Sequence, residues 1–231
     1  MASAMLREAK QLGASAEALD AAAAIIRLAE GKLEDIPDDG DVTYLLALGA
    51  ARLRTGDSAQ AESAWRRALE ADPSNPLPYL ELGKLHAARR KATALGFFER
   101  AIARFKKKPY FPAAVTVEAQ LGTARYLLSA GRAGEAIALV KTAMSSETAR
   151  TAPAYRLLGE CHLAQRRYDE ARAALERCAG LDVEDATAFY LLGTAARAKP
   201  KRARQALQRF LQLEPKGKRA AAARRALRHL P

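Results

Sequence analysis

The chain has 231 residues, 38 Lys and Arg against 26 Asp and Glu, and a formal net charge of +12. Ala is abundant and Val and Ile are few, which favours helix over strand, and no stretch reaches the roughly 18–20 apolar residues of a transmembrane helix. The N-terminus lacks the charged-apolar-small pattern of a secretory signal, so the expected location is cytoplasmic, or periplasmic where a leader has been removed.

Five Leu-Gly pairs mark an internal repeat: Leu48-Gly49, Leu82-Gly83, Leu121-Gly122, Leu158-Gly159 and Leu192-Gly193, at spacings of 34, 39, 37 and 34 residues. A repeat of this length means stacked supersecondary units. Ahead of them, residues 2–31 read as a degenerate first hairpin. Ala14 to Ala29 matches the second block of a repeat, and Gly13 takes the place of the turn glycine Gly131. Asp38-Asp39-Gly40-Asp41 lacks the alternation and distal Glu of a calcium loop and reads as an acidic turn ending in a helix N-cap.

The first full copy runs from about Val42 to Asn75, with Leu45, Leu48 and Gly49, then Ala61, Trp65 and Ala68, then Pro73 as a stop. Gly49 and Ala68 are small where the two helices of a pair approach closely. The second copy has Tyr79, Leu82, Gly83, Ala94, Phe98 and Ala101. The third has Leu121, Gly122, Ala136, Val140 and Ala143, a longer first helix, and Glu118 where the other copies carry a large residue. The fourth has Tyr155, Leu158, Gly159, Ala171, Leu175 and Cys178, and the fifth has Phe189, Leu192, Gly193, Ala203, Leu207 and Pro215. Residues 216–231 supply a last amphipathic helix, Lys218 to Leu230, that covers the final apolar edge.

This pattern resembles the tetratricopeptide repeat (TPR) family, two antiparallel helices per repeat, over residues 42–215. Arg52 departs from it, standing where the family prefers an apolar residue. The resemblance implies one all-α domain over 1–231, a right-handed α-α superhelical solenoid of TPR-like hairpins. It also implies that first helices line a concave face that binds a peptide or a partner helix. By that alignment the groove residues are Leu46, Leu53, Leu80, Lys84, Tyr126, Arg156, Glu160, Tyr190 and Arg197. The carboxylate clamp of chaperone-binding members does not fit, since Leu46 and Ala50 stand where it needs Lys and Asn. Bacterial members of about six repeats assist assembly of envelope machines such as type IV pili, and this chain is similar in size. It lacks the lipid-attachment Cys near the N-terminus of outer-membrane members. Arg outnumbers Lys by 26 to 12, as in a GC-rich bacterial source.

The charge is uneven. From Arg197 to the end there are twelve Lys and Arg against Glu214 alone, while Met1 to Asp41 is acidic and Lys84 to Lys108 is basic. In the C-terminal region Arg202, Arg204, Arg219, Arg224, Arg225 and Arg228 are expected outside, with Leu207, Phe210, Leu211, Leu227 and Leu230 inside. Three readings of this basic patch stand: a solvated cap, a surface for an acidic protein or anionic lipid, and a nucleic-acid surface. The last is the least fitting, because stacking aromatics are absent. The acidic stretch Glu34 to Asp41 adds head-to-tail self-association.

No nucleophile-base-acid set, phosphate loop or metal cluster is present, so neither catalysis nor a cofactor is expected. His86 and His162 each stand three residues after a repeat glycine, which makes them packing residues. Cys161 and Cys178 read as buried free thiols, with a disulfide inside one hairpin as the alternative.

Overall fold

The computed structural model describes residues 41–107, 113–145, 149–196 and 198–230, and these form eleven α-helices and no strand. The expected hairpin at 2–31 lies outside the described residues. The helices fall into two compact units, up to residue 110 and from residue 111. Unit 1 holds α1 (Val42–Arg54) paired with α2 (Ser58–Ala71) and α3 (Pro76–Ala88) paired with α4 (Thr93–Lys107). Unit 2 holds the pairs α5 (Ala113–Ser129) with α6 (Ala133–Ala143), α7 (Ala152–Ala164) with α8 (Tyr168–Leu181) and α9 (Ala186–Ala195) with α10 (Pro200–Leu213), followed by α11 (Lys218–His229). Within unit 2 the first helices α5, α7 and α9 touch in sequence and form a layer.

Local chemistry sets the helix ends. Asp41, Asp57, Asn75 and Asp185 cap helix starts by accepting from backbone N–H groups at 2.7–3.0 Å. Four hairpins then share one turn. A residue with positive φ, Gly56, Arg90, Gly131 or Arg166, follows the first helix. The next residue's N–H returns to a carbonyl one turn back, as in Lys91 to His86 and Arg167 to His162, both 2.9 Å. Two of the four turns thus place arginine in a left-handed conformation that glycine would adopt without steric cost.

The close contacts inside each pair run through the repeat glycines. A Cβ built on Gly49, Gly83, Gly159 or Gly193 would meet Trp65, Phe98, Leu175 or Leu207 at 2.3–2.7 Å. The third Leu-Gly pair is out of register with this rule. The positive-φ turn residue stands seven places after Gly49, Gly83 and Gly159, so Gly131 points back to Ala124, not to Gly122. Burial agrees: Thr123, Ala124 and Leu127 are buried, whereas Leu121 and Gly122 are only half-buried. The close-contact residues are therefore Gly49, Gly83, Ala124, Gly159 and Gly193. Their spacings are 34, 41, 35 and 34 residues, so the irregularity is one insertion of seven residues ahead of the third copy.

Three places after the close-contact residue, Arg52, His86, Leu127, His162 and Ala196 share one position. His86 lies beside Phe97 (ring centroids 4.9 Å apart) and bridges Thr93 Oγ1 at 2.6 Å and Glu62 Oε1 at 3.2 Å. A carboxylate only accepts, so Nε2 donates to Glu62. Burial alone would raise the Glu62 carboxyl. The hydrogen bond from His86 and the charge of Arg66 outweigh it and hold the group below the usual range. His162 is buried with Nδ1 unpartnered, and burial, then the Arg167 charge, holds its imidazole below the usual range. Both cysteines are free and buried, so no disulfide spans the hairpin.

Candidate functional site

Counting from the close-contact residue identifies what each first helix shows beyond its packing. Three places before it stand Leu46, Leu80, Leu121, Arg156 and Tyr190, and one place after it Ala50, Lys84, Arg125, Glu160 and Thr194. In unit 2 these two rows carry charge. Arg156 Nη1 donates to Asp185 Oδ2 at 2.7 Å, and its Nε stands 3.8 Å from Glu160 Oε1. Asp185 is 7% exposed and also caps α9 through Ala188 N–H (2.9 Å), so one carboxylate ties α7 to the start of α9. Burial raises the Glu160 carboxyl above the usual range, against the lowering charges of Arg156, Arg125 and Arg219. Arg219, at the start of α11, donates to Thr187 Oγ1 at 3.2 Å and places its guanidinium 5.8 Å from the Tyr190 ring centroid. Tyr190 in turn packs on Phe210, with ring centroids 5.2 Å apart.

Arg156, Glu160, Tyr190, Arg125 and Arg219 are thus brought together on one face of unit 2. Three guanidiniums surround two carboxylates, leaving a net positive face with an aromatic ring at its edge. Such a face can pair bidentately with carboxylates and bury a flat apolar group. Tyr126 belongs elsewhere. It stands two places after Ala124, in the position of Ala51, Leu85, Cys161 and Ala195, all buried, and is itself half-buried. The misread third register placed it in the groove and hid Arg125.

Unit 1 offers less. Leu80 is 1% exposed because α3, enclosed between α2 and α4, is buried around most of its circumference, so Leu80 is core and not surface. Leu46 is half-buried against the cluster of Ala61, Trp65, Leu82 and Leu85, and its carbonyl accepts from Trp65 Nε1 at 3.3 Å. Lys84 is paired with Glu81 at 2.7 Å. Leu53 is 40% exposed at the end of α1. Arg197 lies outside the described residues.

Two tetratricopeptide repeat family models match the chain, over residues 42–85 and 127–195. Each of the two units thus carries tetratricopeptide repeats. Among curated proteins none matches the chain by sequence. Among solved TPR-type structures it is similar to PilW, described as a widely conserved type IV pilus biogenesis factor, at 17% identity and TM-score 0.70, over 96% of each chain. It is similar to PilF of Pseudomonas aeruginosa at 17% identity and TM-score 0.69, over 81% of this chain and 87% of that one. It also matches a chain of the APC/C Cut9–Hcn1 hetero-tetramer at 18% identity and TM-score 0.72, and there it spans 45% of the other chain's length. These likenesses concern the fold.

The last two described helices, α10 and α11, are rich in arginine. Arg202, Arg204, Arg219, Arg224, Arg225 and Arg228 are all exposed, over a core of Leu207, Phe210, Ala220 and Ala223 with Leu211, Leu227 and Leu230 packed on it. Arg202 pairs with Glu176, Arg204 donates to Leu230 O (3.2 Å) and Arg224 to Pro215 O (2.7 Å). Asp185 was missed as a site residue because an Asp before a helix reads fully as an N-cap, which conceals its second oxygen. Among the described residues no group of three or more His, Cys, Asp or Glu could hold a metal ion, and no helix is long and apolar enough to cross a membrane.

Proposed function

We propose that this TPR chain is a non-catalytic scaffold that holds a peptide or partner helix against its first-helix face and helps assemble a multiprotein machine, such as one of the bacterial envelope. The observation that carries this reading is the cluster of Arg125, Arg156, Glu160, Tyr190 and Arg219 on one face of unit 2, at positions that hairpin packing leaves free. An envelope role draws on likeness in size and repeat number to pilus-biogenesis proteins. The test is capture of partners from the source organism by the full chain, compared with Arg125→Glu combined with Arg219→Glu. Both residues are exposed, so circular dichroism should stay unchanged while capture is lost. Retained capture would remove this face from the function.

The exposed C-terminal arginines favour a second reading, an adaptor for an anionic partner: an acidic protein, an anionic membrane surface or a nucleic acid. Both surfaces are cationic and both contacts weaken with salt, so variants separate the readings: neutralising Arg202, Arg204, Arg224 and Arg228 should abolish capture on this second reading and leave it unchanged on the first. Head-to-tail self-association through the acidic stretch Glu34 to Asp41, of which only Asp41 is among the described residues, is tested by sedimentation across protein concentration at low salt. A monomer throughout excludes it.

A further inference from the structure

A cavity of about 560 Å³ lies at the C-terminal end of the first-helix face of unit 2, between α9, α10 and α11. Its size falls within the range of about 300–1,000 Å³ typical of ligand sites. Its origin is legible in the repeat. The helix cap stands eight places before the close-contact residue in α1, α3, α7 and α9: Asp41, Asn75, Thr151 and Asp185. Gly217 caps α11, so Arg225 occupies the equivalent position. The two face positions of α11 are then Ala222 and Ala226. They stand where the preceding first helices carry Arg156 and Tyr190, or Arg125, Glu160 and Thr194. Two methyl groups replace long side chains, and the volume they leave open is the cavity.

The lining divides by chemistry. Leu207 and Ala223, both buried, form the floor with Gly193, and Leu230 closes one side. Tyr190 and Thr194 stand on one wall, and Ala222 and Ala226 on the other. Arg225 and His229, one helical turn apart and both exposed, stand at the mouth, and neither has a hydrogen bond or ion pair among the described residues. The mouth sits in a segment with twelve Lys and Arg against one acid. An occupant complementary to this cavity is apolar at its tip and negative beside it.

We propose that this cavity takes one large apolar side chain of an acidic peptide segment, with the adjoining carboxylates paired to Arg225 and His229. This rests on the scaffold reading above and assigns the ligand its anchor point. Arg219 and its contact with Tyr190 extend the cationic rim toward Arg156 and Arg125, so the rest of the peptide runs along the same face.

The test is fluorescence polarisation of the full chain with a synthetic peptide carrying one Phe flanked by Glu, and with its Phe→Ala and Glu→Gln forms. The Phe→Ala peptide is expected to bind about 10- to 100-fold more weakly. The Glu→Gln peptide should lose the salt dependence. Ala226→Phe fills the cavity from within and should weaken the parent peptide to the same degree, with helicity and melting checked by circular dichroism. Phe→Ala acts on the ligand and needs no protein variant to fold. Equal binding of the Phe and Ala peptides, undiminished binding by Ala226→Phe, or no binding of the parent peptide overturns the proposal. Displacement of the parent peptide by heparin, with Phe and Ala peptides binding alike, would make the rim a general anion surface and overturn it too. If Ala226→Phe leaves partner capture intact while Arg125→Glu with Arg219→Glu abolishes it, the cavity inference falls and the scaffold reading stands.

Discussion

Replacing Gly49 by alanine adds one methyl group to α1, and the structure gives that methyl nowhere to go. The new Cβ would stand 2.3 Å from Trp65 Nε1 and 2.6 Å from two further ring atoms, where contact distance is about 3.5–4.0 Å. The indole is rigid and fully buried, so it would have to move by about 1 Å, which also breaks its hydrogen bond to Leu46 O. Overpacking costs about 1–3 kcal/mol, and a buried N–H without an acceptor about 1–3 kcal/mol more. Alanine's better helix propensity returns only about 1 kcal/mol. The net expectation is a loss of about 3 kcal/mol, a fall of about 1–2 M in the urea midpoint for a unit of this size. Trp65 is the sole tryptophan, so its fluorescence reports unit 1 directly, which matters in a repeat protein whose parts need not unfold together. Gly96→Ala is the control. Gly96 lies within α4 with nothing within 4 Å of its Cβ position, so the same change there should stabilise by about 0.5–1 kcal/mol. Equal midpoints for Gly49→Ala and wild type, or a loss at Gly96→Ala, would refute the close-contact argument.

The corrected third register predicts that Ala124→Phe destabilises unit 2 by about 1–3 kcal/mol whereas Gly122→Ala is neutral or mildly stabilising; thermal melts of the two variants decide it. His162 is neutral in the fold more readily than when unfolded, so the native state binds fewer protons and stability falls as pH drops through about 6.5. His162→Leu should remove that slope between pH 7 and 5 and stabilise by about 1 kcal/mol at neutral pH, while His86→Leu should cost about 1 kcal/mol because it removes the two buried-side hydrogen bonds to Thr93 and Glu62, the latter keeping only Arg66 and Arg89. Burial, with the Glu160 charge added, pushes the Cys161 thiol up to about 11; burial, with the Asp185 charge added, pushes Cys178 up to about 12. Neither should react with a thiol reagent at pH 7.5 until denaturant is added; two fast thiols in the native protein would contradict their burial.

The repeat made most of the fold legible, because close helix contacts demand small residues at fixed intervals and large ones opposite them. Gly49 with Trp65 and Gly83 with Phe98 follow that demand as written. The third copy did not, because Ala124 satisfies the same demand as a glycine while Leu121-Gly122 supplies a decoy two places earlier. Composition alone does not distinguish the two; the seven-residue distance to the turn at Gly131 does. The functional face was less legible for a related reason. Its residues are those the packing rule leaves free, so no rule announces Arg125 or the second oxygen of Asp185. Leu80 shows the converse: it occupies a face position, yet α3 is enclosed and an apolar side chain there joins the core.

The sign of the C-terminal charge is the last point that the helix geometry helps to weigh. Solubility requires charge but not positive charge, and acidic residues serve it at least as well. The helix dipole favours cations in a last turn, which accounts for Arg228 and His229 at the end of α11. It disfavours them in a first turn, yet Lys218 and Arg219 open α11 and Lys201 and Arg202 open α10, with no acidic residue in either first turn. Each such cation costs up to about 0.3–1 kcal/mol at low ionic strength. Arg202 recovers part of this from Glu176, and Arg219 part from Thr187 and Tyr190, through exposed contacts worth about 1 kcal/mol or less. Lys201 and Lys218 make no hydrogen bond or ion pair among the described residues. A solvated cap explains why this end is charged but not why its helices begin with cations. An anionic ligand at the start of α11 would account for Lys218 and Arg219, and that is the end at which Arg219 already meets the face of unit 2.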